Sequence, residues 1–588
     1  MRARYSFVLI VVCVALCGPG PTHAATYDHI FRYGFDIPPD APTSDSEAAR
    51  FLTQATFGPN PAEIARLRAL GYGEWMDEQL GAPLAQARPF VEQVIAARTA
   101  GGQNYDQTQR LNRWFWTAAY GRDQLRQRMA WALSQIFVVS DQNSAIAEDV
   151  IPMSEYWDLL ARDAFGSYRT LLGDVTLSPT MGKYLNNFHN QKPSATTQPD
   201  ENYAREVMQL FAVGLVERNL DFSEVLSGGN PIPTYDQTVI THTAKVFTGF
   251  TYSDAPTNPP NFYVGGFTAL GTYAPMACWG TELFPASSNN MRHDITGDDG
   301  TTGTPKTVLG GLTIPPNQTC AQDVFDELDV IAGHANVAPF ISRQLIQRFV
   351  TSNPSPAYIQ RIAQVFEDNG ASDHVRGDLG AVIKAVLLDT EARTLPTDPN
   401  YGKLREPLLG LTAIWRAWNA QAQPPDPYGE IRMTAGISFL PTTGQRPLGS
   451  PTVFNFYEPD YQQPGNFADN GLYSPELQIT NESSVYTIGN MFYNFTRKAY
   501  VGMNLPPDNQ ILPTDRPLLD LSALVANVSN PSAMVDTANA YMLYGSMSSN
   551  MHTTLVNALL FMSGASPYEK AWSLVYLISL SPEYAAQR

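Results

Sequence analysis

Apolar and polar positions alternate with a helical period along most of this chain. The clearest case is Asp200 to Gly214, where about 100° per residue puts Asn202, Arg205, Glu206 and Gln209 on one face and Tyr203, Val207, Leu210 and Phe211 on the other. Pro199 and Asp200 start this stretch and Gly214 stops it. Its polar stripe combines an amide, a guanidinium and a carboxylate with no lysine, which predicts the centre of a buried polar network. Similar periodicity predicts helices from Ser44 through Leu52, from Asn60 to Leu70, and from Gly73 to Leu80. Leu111 to Tyr120 and Gln124 to Phe137 read as aromatic-rich core helices. Glu155 to Phe165, Tyr168 to Leu177 and Thr180 to Leu185 continue the series.

The pattern changes between 221 and 320. Apart from a helix predicted over Thr238 to Phe247, this stretch is rich in Gly, Pro, Asn, Thr and aromatic residues. Short β-like runs such as Asn261-Phe262-Tyr263-Val264 predict a loop-rich insertion with a small β-sheet. Helical periodicity then resumes at Ala321 to Ala332, Asn336 to Val350, Tyr358 to Asp368, Arg376 to Leu388 and Lys403 to Trp418. It continues in a broken segment over Ser474 to Ala499 and in four shorter segments between Ser522 and Ile578. The fold expected is mainly α: one large multi-helix domain over 45–588, preceded by a Pro-rich extended lead-in over 25–44 and carrying the insertion.

The first residues bear on location. Arg2 and Arg4, an apolar run from Ser6 to Cys17, and Thr22-His23-Ala24 before Ala25 form a secretory signal peptide over 1–24. No later apolar stretch approaches the ~20 residues a membrane span requires. The chain is therefore expected to be secreted or periplasmic. Removing the signal takes away two arginines and no acid, so the formal charge moves from −18 to −20. With 56 acidic residues against 38 basic ones, a nucleic-acid partner is disfavoured. Cys13 and Cys17 leave with the signal. Cys278 and Cys320 remain to form one disulfide in an oxidising compartment, worth about 3–4 kcal/mol on the chain-entropy argument, or else stay as two free thiols.

Several stretches carry a resemblance. Ala49-Arg50-Phe51-Leu52-Thr53-Gln54-Ala55-Thr56-Phe57-Gly58-Pro59 resembles the N-terminal signature of the secreted bacterial domain-of-unknown-function 1800 family (DUF1800), and Glu201-Asn202-Tyr203-Ala204-Arg205-Glu206 resembles its most distinctive motif. Further matches follow in order at Ala244 to Phe250, at His293-Asp294 with Lys306 to Gly310, at Arg405-Glu406-Pro407-Leu408 and at Thr443 to Pro447, so the resemblance is closest over 45–500. It implies no assigned activity. It does imply a partner, since such proteins often accompany a second secreted family, number 1501. The chain departs from the family pattern at Gln209 and Phe211, where an acid and a histidine are usual, and at Phe250, where a Trp is usual.

The candidate residues follow from chemistry. Glu206 is a candidate general base oriented by Arg205, with Asn202 and Gln209 as binding groups beside them. His293 and Asp294, near the acidic loop Gly297-Asp298-Asp299-Gly300 and Lys306, suggest a divalent-metal site, or a turn whose polar residues stabilise one another. Arg405-Glu406 and Gln445-Arg446 add paired polar groups that complete a site or fix late loops onto helices. His189, His242 and His334 are further candidate histidines, of which His242, in a helix with Lys245, and His334, at a helix start, have capping explanations. His-Glu-x-x-His, Gly-x-Ser-x-Gly and phosphate-loop motifs are missing. Two readings result: an exported protein that binds or assembles envelope or extracellular material with a partner, or a secreted hydrolase-like, metal-assisted enzyme using Glu206, Arg205, His293 and Asp294.

Overall fold

The structure, a computed structural model, describes residues 38–194, 196–257, 261–279, 291–297, 303–394, 397–398, 400–497 and 514–588. The signal peptide, the first part of the lead-in and the acidic loop beyond Gly297 lie outside the described residues. Among those described are 25 α-helices and four two-stranded antiparallel sheets, so the mainly α expectation holds. None of these helices is long and apolar enough to cross a membrane.

Local chemistry explains many helix boundaries. Ser44 accepts from the Glu47 amide and starts helix Asp45–Ala55, and Asn60 does the same for Glu63 at the start of Pro61–Leu80. The latter bends at Gly71, whose φ of 81° only glycine adopts freely, so the two expected helices are one element with a kink. Helix Arg88–Ala100 has no counterpart in the sequence reading. It begins at Ala87 without a capping side chain and buries Val91, Val94 and Ile95. Asn261 to Val264 is a turn and not a strand. The insertion's strands are instead Leu226–Ser227 with Asn230–Pro231, Phe250–Thr251 with Ala277–Cys278, and Lys306–Thr307 with Thr313–Ile314.

The main hydrophobic core runs from Ala48 to Tyr584, with a small second cluster at Val91, Ile95 and Val150. At its centre Trp114 packs against Phe57, Phe115, Trp131 and Trp157 with ring centroids 4.9–5.9 Å apart, mostly edge to face. The chain's end is sewn into its middle: strand Ala586–Gln587 pairs with Lys403–Leu404, and Tyr584 donates to the Gly410 carbonyl. Arg50 reaches across to the carbonyls of Arg393 and Arg588. Cys278 and Cys320 form the disulfide, with Cα atoms 6.0 Å apart. It ties strand Ala277–Cys278 to the start of helix Cys320–Gly333.

Candidate functional site

The helix of the distinctive motif is Asn202–Gln209, shorter than its apolar pattern suggested. Asp200 accepts from the Asn202 amide, as its starting role requires. Tyr203, Ala204, Val207 and Met208 are buried. The polar face looks outward, contrary to the expectation of a buried network: Asn202 is exposed, while Arg205, Glu206 and Gln209 are half-buried. Arg205 pairs with Glu201 one turn earlier, 3.2 Å away, and Glu201 also accepts from Gln237 and Thr241 of the neighbouring helix Gln237–Val246. Glu206 keeps one distinctive property. Among the described residues its buried Oε2 has no hydrogen-bond partner, and burial raises its carboxyl above the ordinary range against the pull of Arg205. The Tyr184 and Tyr235 phenols nearby are both pushed up to about 12, chiefly by burial, with the Glu206 charge adding to each.

His293 lies in a separate network and is fully buried. Its Nδ1 sits 3.0 Å from the Thr248 carbonyl, to which it donates, and its Nε2 lies 3.0 Å from Asp323 Oδ2. Lys306 Nζ reaches the same carboxylate oxygen at 2.6 Å. Asp294 accepts from the Thr296 amide and the Thr248 hydroxyl holds the Asp294 amide, while Lys245 donates to the Gly297 carbonyl at 2.5 Å. One turn after Asp323, Glu327 accepts from the Thr243 hydroxyl, and burial, with the Asp323 charge behind it, pushes its carboxyl up to about 8. Both His293 nitrogens are thus engaged. Among the described residues no group of three or more His, Cys, Asp or Glu side chains is placed to hold a metal ion, and Asp298 and Asp299 of the acidic loop lie outside them. No hydrogen bond or ion pair among the described residues joins Glu206 to His293 or Asp294.

Glu406 anchors a second buried network. Its Oε2 accepts from Trp131 Nε1, Gln135 Nε2 and Gln445 Nε2 at 2.8–2.9 Å, so Glu406 and Gln445 share one network. Lys403 Nζ bridges Glu476 at 2.8 Å and Glu406 at 3.9 Å. Arg128 donates to the Arg348 carbonyl, Arg348 to those of Gln344 and Gln135, and Lys403 to those of Gln347 and Arg348. These carbonyls belong to the C-terminal ends of helices Val337–Phe349 and Gln124–Ser134. Three cations face two carboxylates, and two helix ends of about half a negative charge each supply the remaining unit. The network therefore reads as a lock between helices. Burial raises Glu476. It would raise Glu406 too, but Lys403 and Arg128, together with the Gln445 and Gln135 bonds, hold Glu406 below its ordinary value. Arg405 takes no part in this network: its amide donates to the Ala585 carbonyl and its guanidinium lies 4.4 Å from the Tyr584 ring centroid.

The other three candidate histidines, His189, His242 and His334, are accounted for by local structure. His242 accepts from the Thr307 amide, and His334 closes helix Cys320–Gly333 rather than opening the next one. His189, held at φ 62°, donates its amide to the Phe250 carbonyl and sits among rings, 5.1 Å from Phe262 and 5.5 Å from Tyr263. Burial brings its imidazole down to about 4, so it is neutral near pH 7. Phe188 packs edge-on against Tyr252, and the Arg292 guanidinium lies 5.8 Å from both the Phe262 and Tyr263 centroids. Gln191 Oε1 accepts from the Tyr263 hydroxyl and from Arg292. Asp254 clamps the next turn by accepting from the Gly266 and Thr268 amides. On this scaffold Tyr263, Phe267 and Leu270 are more than half exposed.

Asp323, Glu327, Lys403, Glu476, Arg128 and Arg348 were not singled out from sequence. Their signal is an ionisable residue inside an apolar helical face, as where Asp323 and Glu327 flank Val324 and Leu328.

No curated protein and no solved structure matches the chain. Among protein families, residues 50–586 match the one described as a protein of unknown function, DUF1800. The match runs past the stretch over which the motifs were legible and takes in the C-terminal helices that the strand pair at 403–404 and 586–587 binds to the rest. The chain belongs to the DUF1800 family.

Proposed function

We propose that this is an exported protein that binds envelope or extracellular polysaccharide through the aromatic platform of its insertion. The observation that carries the reading is the set of exposed rings, Tyr263 and Phe267, on a rigid base of His189, Tyr252, Phe262 and Arg292. Aromatic faces beside amide and guanidinium groups suit the mixed apolar and hydroxylated faces of sugars. The disulfide and the signal-peptide pattern support export, and the protein recovered from the periplasm or medium should begin at Ala25. A protein of family 1501 is the partner this reading carries forward. The test is sedimentation with insoluble peptidoglycan, cellulose and chitin. Wild-type protein is expected to sediment with at least one of them, and Tyr263→Ala to weaken binding about tenfold, the loss of one stacking contact of about 1.4 kcal/mol. Equal sedimentation of both proteins would refute the platform.

A second reading, hydrolysis, is favoured by the unpartnered Glu206 Oε2 beside Tyr184 and Tyr235. A carboxyl raised by burial can take a proton from water near neutral pH, with Arg205 beside it holding an anionic group. Metal-assisted versions of this reading find no ligand set among the described residues. Chromogenic esters and glycosides test it. Turnover lost in Glu206→Gln at an unchanged unfolding midpoint supports it, and turnover that survives the substitution sinks it.

A further inference from the structure

We propose that a cleft at the end of helix Arg88–Ala100 binds a neutral sugar ring, independently of the aromatic platform. The cleft has a volume of about 440 Å³, within the roughly 300–1,000 Å³ typical of small-ligand sites. Its walls are polar where such sites are usually apolar: Arg98, Gln109, Asn112, Glu430, Arg432 and Asp515 line it. A polar wall selects a polar ligand.

The floor is preorganised. Glu430 is almost fully buried and accepts from Asn112 Nδ2 at 2.7 Å, Gln109 Nε2 at 3.3 Å and Arg98 Nη1 at 3.1 Å. Asn112 in turn accepts from the Met433 and Thr434 amides, and Gln109 closes the capping box of helix Gln107–Tyr120 with Asp106. These groups hold one another and the 426–434 loop in place, so the floor does not collapse into the cavity.

The rim has hydrogen-bonding capacity left over. Among the described residues, the Asn104 amide, the Tyr105 hydroxyl and the Thr108 hydroxyl make no hydrogen bond. Arg432 makes a single contact, with Asp426 at 3.3 Å, and its side chain is 48% exposed. Tyr105 offers an exposed ring face at the mouth. Hydroxyl groups, which donate and accept, match such a mixture of solvent-facing donors and acceptors. An anionic ligand does not, because Asp106, Glu430 and Asp515 outnumber the Arg98 and Arg432 guanidiniums in the lining. The class indicated is an uncharged pyranose or pentose residue, with its apolar face on Tyr105 and its hydroxyls on Asn104, Thr108 and Arg432.

Calorimetric titration of the mature protein with the methyl glycosides of glucose, N-acetylglucosamine and xylose tests this, with glucuronate and sulfate as charged controls. At least one neutral glycoside is expected to bind saturably. Tyr105→Ala and Arg432→Ala should each weaken it about tenfold, the worth of one stacking contact or charge-assisted hydrogen bond, and both residues are exposed enough to leave the unfolding midpoint in place. Tyr263→Ala should leave this binding unchanged, which separates the cleft from the platform. The proposal is overturned if no neutral glycoside binds, if glucuronate or sulfate binds in their stead, or if binding survives both rim substitutions.

Discussion

Replacing Glu406 by alanine is expected to destabilise the protein by about 3–5 kcal/mol, the cost of removing one partner from a buried charge network. The substitution takes the acceptor from Trp131, Gln135 and Gln445 together and leaves Lys403 and Arg128 facing Glu476 alone. All of these groups are buried, so water does not replace what is lost. Glu406→Gln keeps an acceptor for the indole and amide donors and removes only the charge, so it should cost less. Lys384→Ala, whose pair with Asp77 is exposed, should cost under about 1 kcal/mol. Denaturant unfolding followed by tryptophan fluorescence ranks the three. A Glu406→Ala cost no larger than that of Lys384→Ala would show that the network does not hold the helices together.

Glu327 makes the stability depend on pH. Its carboxyl is ordinary in the unfolded chain, near 4.5, and about 8 in the folded one. Below 4.5 both states hold the proton. Between 4.5 and 8 the folded state keeps a proton that the unfolded state has released, so stability falls as pH rises, and above 8 the loss is complete. The shift corresponds to an upper bound of about 5 kcal/mol. Glu327→Gln keeps the Thr243 bond and removes the titration. It should match wild type at pH 4.5 and exceed it in stability at pH 9 by several kcal/mol. Asp158, raised to about 7 by burial although the Ala87 and Arg88 amides bond it, adds a slope of the same sign to both proteins and cancels in the difference. A gap between wild type and variant that does not widen from pH 4.5 to 9 would place an ionised carboxylate at this position.

Much of the architecture was legible because caps and breaks are local. Ser44 and Asn60 mark helix starts by side-chain bonds that need no tertiary context, and the break read at Gly71 is the kink of one helix. Helix Arg88–Ala100 escaped because Ala87 gives no capping signal. Asn261 to Val264 has strand-like composition, yet among the described residues it pairs with no strand and forms a turn. The site was less legible. Amphipathic phase showed that Tyr203 and Val207 share a face, and that face is buried. It follows that the opposite stripe of Asn202, Arg205 and Glu206 meets solvent, which the mixture of its polar groups obscured. Sequence adjacency paired Arg205 with Glu206, whereas helix geometry pairs it with Glu201 four residues away. The meeting of Glu406 with Gln445 and of His293 with Lys306 through Asp323 depends on packing between distant segments. For those pairs only the motif resemblance brought the residues forward together.

Buried charges around Glu406 and His293 hold the helices, and in the proposed function the exposed rings of the insertion are what meets the polysaccharide. Amide hydrogen exchange, measured with and without soluble fragments of whichever polysaccharide sediments the protein, tests this most directly. The account predicts slowed exchange across 188–192, 250–254 and 261–271, with helix Asn202–Gln209 unchanged. Protection centred on 201–210 and absent from the insertion would contradict it and move the function to Glu206.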